Sequence, residues 1–160
     1  MIRPSMLLTA LLIAGNVFAA GSADSVTITD PWIRQSPAVA QAAGAFMIIK
    51  NTGAKEVKIT KADNPASKVT ELHNHFNEGG VMKMRAIPSL DIKAGGEAIL
   101  KPGSLHVMLI GLKAPLEVGK VIPITLTFDD GSNKIIEATV KPAMPPPAAM
   151  PAAGHEMHKH

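Results

Sequence analysis

Short apolar runs bounded by turn residues repeat along most of the chain. Their lengths and their content of Val, Ile and Thr are typical of β-strands. The runs cover residues 26–29, 45–51, 57–60, 68–73, 80–84, 97–100, 105–110, 122–128 and 134–140. Turn signals such as NTG, PG, AGG and DDGSN separate them, and no long helical period lies between them. This pattern predicts an all-β protein, either an antiparallel sandwich or a barrel.

One stretch, ASKVTELHNHF at residues 66–76, fits two patterns. Its first part suits a strand, in line with the runs on either side. Four of its residues would also share one face of a helix, and these are Val69, Leu72, His73 and Phe76. We expect a strand here and keep the helix as the alternative.

The two ends of the chain differ from the part that carries the strand pattern. Residues 1–19 have a positive charge at Arg3, an apolar run and small residues up to Ala19, which is typical of a cleaved secretory signal. Because the run is too short to span a bilayer, we expect an exported protein without a membrane span, folded over residues 20–141. Residues 142–160 are rich in Pro and Ala and end in His and Met, which predicts a disordered tail.

Composition argues against several classes of site. The chain has no cysteine, which excludes a thiolate zinc site, a CxxC redox pair and a blue-copper site with a cysteine ligand. Its net charge of +3, its single Trp and its lack of Tyr argue against nucleic-acid binding. No nucleophile with a paired base is evident, so we expect no enzymatic activity.

The histidines and several methionines cluster along the chain. The histidines are His73, His75, His106, His155, His158 and His160, and Met82, Met84, Met108 and Met157 lie among them. Any one of these residues alone is more often a surface or packing residue than a ligand. Together they combine imidazole, which binds copper in either oxidation state, with thioether sulfur, which prefers Cu(I) to hard ions. The set therefore favours a copper site.

The run LHVML at residues 105–109 alternates strictly. On a strand, its three aliphatic residues would face the core. His106 and Met108 would share the opposite face about 7 Å apart at Cα, a span that one bound ion can bridge. The alternative is that both are ordinary surface residues.

Four of the donors have a spacing that resembles a known signature. His73, Met84, His106 and Met108 form the pattern His-x10-Met-x21-His-x-Met, which is similar to that of the periplasmic copper chaperones of the PCu(A)C family. Flanking stretches also resemble this family, and these are AAGAFMIIKNTG, GVMKMRAI, IKAGGEAILKPGSLHVMLIGLKAPLEVG and IPITLTF. The resemblance covers nearly all of residues 26–141.

The resemblance implies a cupredoxin-like antiparallel β-sandwich with Greek-key connections, located in the periplasm. It implies that one Cu(I) is held near the surface by two imidazoles and two thioethers, namely those of His73, Met84, His106 and Met108. It also implies delivery of copper to an acceptor, such as a cytochrome c oxidase subunit during assembly of its copper site, or another periplasmic copper chaperone.

Further donors lie outside the signature. His75 follows His73 by two residues and is either an auxiliary copper donor or a solvent-exposed residue. Met82 stands beside Met84, where we expect packing. Auxiliary donors for Cu(II) or Cu(I) at the end of the chain are His155, Met157, His158 and His160. Two other functions stay open: copper storage or detoxification with the same ligands, and a structural sandwich module without a metal.

Overall fold

The computed structural model describes residues 21–37 and 39–143. The predicted signal at residues 1–19 and the predicted tail donors at 155–160 lie outside the described residues. Within the described part the chain forms strands only, and no helix there is long and apolar enough to cross a membrane. The strands are β1 (Val26–Arg34), β2 (Ala42–Asn51), β3 (Val57–Asp63), β4 (Ser67–Glu78), β5 (Val81–Ala86), β6 (Leu90–Ile92), β7 (Glu97–Leu100), β8 (His106–Leu112), β9 (Val121–Phe128) and β10 (Asn133–Lys141).

The strands hydrogen-bond in the order β5-β4-β8-β2-β1-β10-β9-β3-β6, and β7 pairs with β2. One edge of β2 is shared between β8, along residues 42–45, and β7, along residues 47–50. β1 runs parallel to β10, and the other described strand pairs are antiparallel. The prediction of an all-β sandwich is confirmed, and it contains one parallel pair that the sequence pattern did not predict.

Alternate residues of the long strands form a single apolar core. In β8, Val107 and Leu109 are fully buried, and in β9, Ile124 and Leu126 are fully buried. Each such aliphatic side chain contributes about 1.5–3 kcal/mol to folding when it leaves water. Phe128 is the largest of the fully buried side chains. Val107 and Leu109 therefore face the core, as the alternation in LHVML predicts. His106 and Met108 lie on the other face of β8.

Several elements differ in detail from the predicted pattern. Residues 67–78 form β4, so the helical alternative for this stretch is wrong. β1 continues beyond the predicted end at residue 29, through an irregularity at Asp30, whose φ is 48°. β6 was not predicted, because three residues carry too short an apolar pattern to be recognised without their partner strand β3.

A hairpin extends beyond the body of the sandwich. β4 pairs with β8 as far as His73, and its following residues 74–78 pair with β5 alone among the described strands. The turn consists of Gly79 and Gly80, both with positive φ, a conformation that glycine adopts without steric cost. All six residues of β5 are exposed. We call residues 74–86 the β4–β5 hairpin.

Candidate metal centre

Strand register brings the predicted donors of three neighbouring strands to one face of the sheet. His73 of β4 pairs directly with His106 of β8, and His75 of β4 pairs directly with Met84 of β5. Directly paired residues of an antiparallel ladder lie on the same side, and so do residues two apart on one strand. The outer face therefore holds five candidate donors, which are His73, His75, Met84, His106 and Met108.

His106 lies at the centre of this group and is only 5% exposed. Its Nδ1–H donates to the carbonyl oxygen of Ser104 at 2.8 Å, since a carbonyl can only accept. Burial lowers the pKa of His106. The bond to Ser104 opposes that effect, and electrostatic repulsion of the charged form by the neighbouring basic side chains of His73, His75 and Arg34 adds to it. The ring is therefore neutral at pH 7 and carries a lone pair on Nε2.

That lone pair faces a sulfur atom. His106 Nε2 lies 3.2 Å from Met84 Sδ. With Nδ1 protonated and the ring neutral, no proton lies between the two atoms, so both present lone pairs to the same point. Zinc binds imidazole nitrogen at about 2.0 Å and thiolate sulfur at about 2.3 Å. With bonds of similar length, a nitrogen and a sulfur at this separation can share one ion.

His73 presents a second free nitrogen. The residue is 9% exposed, and its Nε2–H donates to the carboxylate of Glu71 at 2.8 Å. Its Nδ1 is buried and has no hydrogen-bond partner among the described residues. A buried nitrogen without a partner is costly, and a metal ligand commonly donates its other ring N–H to a carboxylate. The two ring centroids of His73 and His106 are 5.7 Å apart.

The site opens to solvent on the side of the thioethers. Met84 is 44% exposed on β5, and Met108 is half-buried on β8. Met84, Met108 and His106 line an open pocket of about 250 Å³ together with His75. The buried His73 does not line this pocket.

An aromatic side chain, Phe46, forms part of the wall of the pocket. Phe46 of β2 packs against Trp32 with ring centroids 4.7 Å apart, and the guanidinium of Arg34 lies 5.5 Å from the centroid of its ring. Gly44 makes this possible, because a Cβ at that position would lie 2.8 Å from Phe46 Cζ. Gly44 is also the residue paired with Met108, so the ring lies beside the thioether.

The donor set suits a soft ion. Among residues 21–37 and 39–143, no group of three or more His, Asp or Glu side chains is arranged to hold a metal ion. The face of β4, β5 and β8 instead combines imidazoles with thioethers, a set that favours Cu(I). The tail donors of residues 155–160 lie outside the described part of the chain.

Two residues of the site were missed in the sequence. Glu71 shares the face of His73 by strand parity, and this signal could have identified it. Ser104 acts through its backbone carbonyl, which accepts from both His106 and His75. No side-chain pattern could have marked Ser104, because every residue has a carbonyl.

Comparison with known proteins agrees with this fold. The family model described as “Putative lipoprotein LpqE-like” matches residues 26–140. The chain belongs to the LpqE-like family. A relative from Leifsonia xyli subsp. xyli, “Putative lipoprotein Lxx21020”, is 37% identical over 120 residues, which are 74% of this chain and 71% of the relative.

Solved structures extend the comparison of this LpqE-like chain. The solution structure of Cu(I)-DR1885 from Deinococcus radiodurans is 33% identical, with a TM-score of 0.58, and the match covers 72% of this chain and 76% of that one. A copper-bound PCuAC domain from PmoF2 has a TM-score of 0.64 at 18% identity, over 78% of this chain and 97% of that domain, and this match shows the fold. The resemblance to the PCu(A)C family is confirmed.

Proposed function

We propose that this protein is a periplasmic copper chaperone that binds one Cu(I) through His73, Met84, His106 and Met108. The observation that carries the proposal is the 3.2 Å approach of His106 Nε2 to Met84 Sδ. The ring of His73 lies 5.7 Å from that of His106, and its buried Nδ1 has no hydrogen-bond partner within the described part of the chain. The similarity to the Cu(I)-bound structure of DR1885 supports copper as the cargo.

The ligand set suits an ion that must arrive and leave. All four ligands are neutral, and methionine is flexible and binds Cu(I) without the strength of a thiolate. Met84 lies on an exposed edge strand, so an incoming ligand of an acceptor can replace it without opening the core. A structural metal would instead be enclosed by stronger ligands.

The acceptor and the location belong to the same proposal. Delivery to a cytochrome c oxidase subunit, or to another periplasmic copper chaperone, follows from the family resemblance, and no catalytic step is part of this function. The donors of residues 155–160 would add auxiliary copper binding, so deletion of residues 142–160 would lower the number of copper ions bound. Copper storage would use the same four ligands, and it differs because a store would not release copper to an acceptor.

The deciding experiment is an anaerobic Cu(I) titration of the mature chain against a competing chelator. The double substitution Met84→Leu with Met108→Leu removes both sulfurs and nearly preserves side-chain volume. We expect tight one-to-one binding in the parent and a loss of at least about 100-fold in affinity, close to 3 kcal/mol, in the variant.

The matched control is Val81→Ala, which lies on the same exposed strand and carries no donor. It should leave the affinity unchanged. Binding that is indifferent to both methionines would mean that their side chains have no part in the site.

A further inference from the structure

Two soft donors on the site face are not needed by the four-ligand site. His75 is paired with Met84, and Met82 is paired with Asn77. Strand alternation places both on the same face of the β4–β5 hairpin as Met84. They are the next donors outward from the site, each one strand step of about 7 Å from a proposed ligand.

His75 is as close to the centre of the site as His73 is. Its ring centroid lies 5.4 Å from that of His106. Its Nδ1–H donates to the carbonyl oxygen of Ser104 at 3.2 Å, which leaves a lone pair on Nε2. His75 also lines the open pocket with His106, whereas His73 does not. His75 is therefore an imidazole ligand available from the solvent side, already in the binding tautomer.

Met82 continues the same face toward the tip of the hairpin. Its side chain is 55% exposed, so the expectation that it is a packing residue is wrong. The hairpin beyond β8 contributes little to the core, because every position of β5 is exposed. An exposed thioether there is freely accessible to a partner.

We propose that the face of the β4–β5 hairpin is the exit path of the copper ion. This inference rests on the proposed Cu(I) site. His75 replaces His73 as the ion moves outward: the bond from Cu(I) to His75 Nε2 forms as the bond to His73 Nδ1 breaks. Met82 then takes the place of Met108 and presents the ion near the exposed turn of the hairpin. The oxidation state stays Cu(I) throughout, because only the ligands change, and the contact of His75 Nδ1 with the Ser104 carbonyl leaves Nε2 as the nitrogen that faces the ion.

Stepwise exchange keeps the ion coordinated throughout. His106 and Met84 stay bound while one imidazole replaces the other, so Cu(I) never loses two ligands at once. A path of this kind changes the rate of transfer far more than the affinity, because the inner ligands still decide where the ion rests. Measuring both the transfer rate and the affinity therefore distinguishes a ligand that binds the ion only during its exit from a resident ligand, which holds the ion at rest.

The experiment measures affinity and transfer rate on the same variants. The mature chain is loaded with one equivalent of Cu(I) and mixed in a stopped-flow instrument with a bidentate Cu(I) chelator as acceptor. We expect His75→Ala and Met82→Leu to lower the transfer rate at least about tenfold, equivalent to about 1.4 kcal/mol in the barrier. We expect the Cu(I) affinity to stay within about threefold of the parent. His75→Gln provides a second variant with a polar side chain.

A control variant tests whether the transfer rate depends on the hairpin face that carries the thioether or only on the total number of thioethers. Lys83 lies between Met82 and Met84 on β5, and its side chain is on the opposite face of the hairpin. Adding Lys83→Met to Met82→Leu restores the number of thioethers but places the new one on the opposite face of the hairpin. The transfer rate of this double variant should stay as low as that of Met82→Leu. Recovery of the parent rate would contradict a path along one face.

Other outcomes would overturn the exit path. An unchanged transfer rate in His75→Ala would do so, and so would an affinity loss in His75→Ala as large as that in His73→Ala, because His75 would then be a resident ligand. Failure of the parent to bind Cu(I) would instead overturn the proposed function.

Discussion

Glu71 and Ser104 select which nitrogen of His73 and of His106 carries the lone pair. The carboxylate of Glu71 accepts from His73 Nε2, and the carbonyl of Ser104 accepts from His106 Nδ1. A neutral imidazole has one protonated nitrogen, so each bond leaves the lone pair on the other nitrogen. Such partners also orient the ring and raise its basicity as a ligand.

The first prediction concerns Glu71. Replacing it in Glu71→Ala removes the acceptor of His73 Nε2–H, which frees the ring to rotate and to change tautomer. We expect Cu(I) affinity to fall about 10–100-fold in competition titrations, with the fold preserved. Glu78→Ala is the control, because its carboxylate pairs with Arg85 and Lys83 on the other face of the hairpin. Equal affinities in the two variants would show that Glu71 has no positioning role.

The second prediction concerns pH and His106. Burial holds the pKa of His106 below its ordinary value of 6.5, so the unfolded chain binds a proton there at a pH where the folded chain does not. The contribution of His106 to the free energy of unfolding of the copper-free protein should therefore be fully present above pH 6.5. It should decrease as the pH falls from 6.5 toward the pKa of His106 in the folded chain.

Thermal unfolding at a series of pH values tests this. The parent should lose stability between pH 7 and pH 5 more steeply than His106→Gln, which has no titratable side chain at position 106. Parallel curves for the two proteins would mean that His106 titrates alike in the folded and unfolded chains.

At the level of elements, adjacency of β5, β4, β8 and β2 builds the site. The first three strands carry the donors, and β2 supplies the wall of Phe46 over Gly44. The strands themselves were predictable from alternation, and so was the shared face of His106 and Met108. The pairing of His73 with His106 was not, because it depends on which strands meet and in what register.

The third prediction concerns this wall. In Gly44→Ala, the new Cβ would lie 2.8 Å from Phe46 Cζ, so the ring must shift from the position in which it packs against Trp32. We expect a loss of about 1–3 kcal/mol in the free energy of unfolding, measured with denaturant.

A double-mutant cycle with Phe46→Leu identifies the cause. If the clash is with the ring, Gly44→Ala should cost clearly less in the Phe46→Leu background. Additive losses in the free energy of unfolding would mean that the cost of Gly44→Ala does not come from a clash with the Phe46 ring.

For the whole molecule, one buried polar side chain joins the end of β2 to β6 and the following loop. Asn51 is fully buried, and its Nδ2 donates to the carbonyl oxygens of Lys55, Ile92 and Lys93 at 2.7–3.1 Å. Its Oδ1 accepts from Gly53 N at 2.9 Å. Asn51 therefore satisfies backbone groups in segments that are distant in sequence. The sequence offered no signal for it, since an Asn after a strand usually marks a turn.

The fourth prediction separates stability from the site. Asn51→Leu removes every one of these bonds and leaves buried carbonyls without a donor, so we expect a loss of about 2–4 kcal/mol in the free energy of unfolding. Asn51 does not line the pocket with His106, so the Cu(I) affinity of the folded protein should not change. Asn77→Leu at the exposed hairpin should have a much smaller effect on stability. A change in affinity with Asn51→Leu would show that the two ends of the sandwich are coupled.

The sequence by itself determined the β class and most strand positions, because alternation is a local property of the chain. Its donor types favoured a soft metal, and the four proposed ligands came from a spacing that resembles that of the PCu(A)C family. Tertiary structure decided the parallel pairing of β1 with β10, the existence of β6 and the separate positions of His73 and His75. These features depend on which strands meet, in what register and at what depth from solvent, and none of these is a property of neighbouring residues.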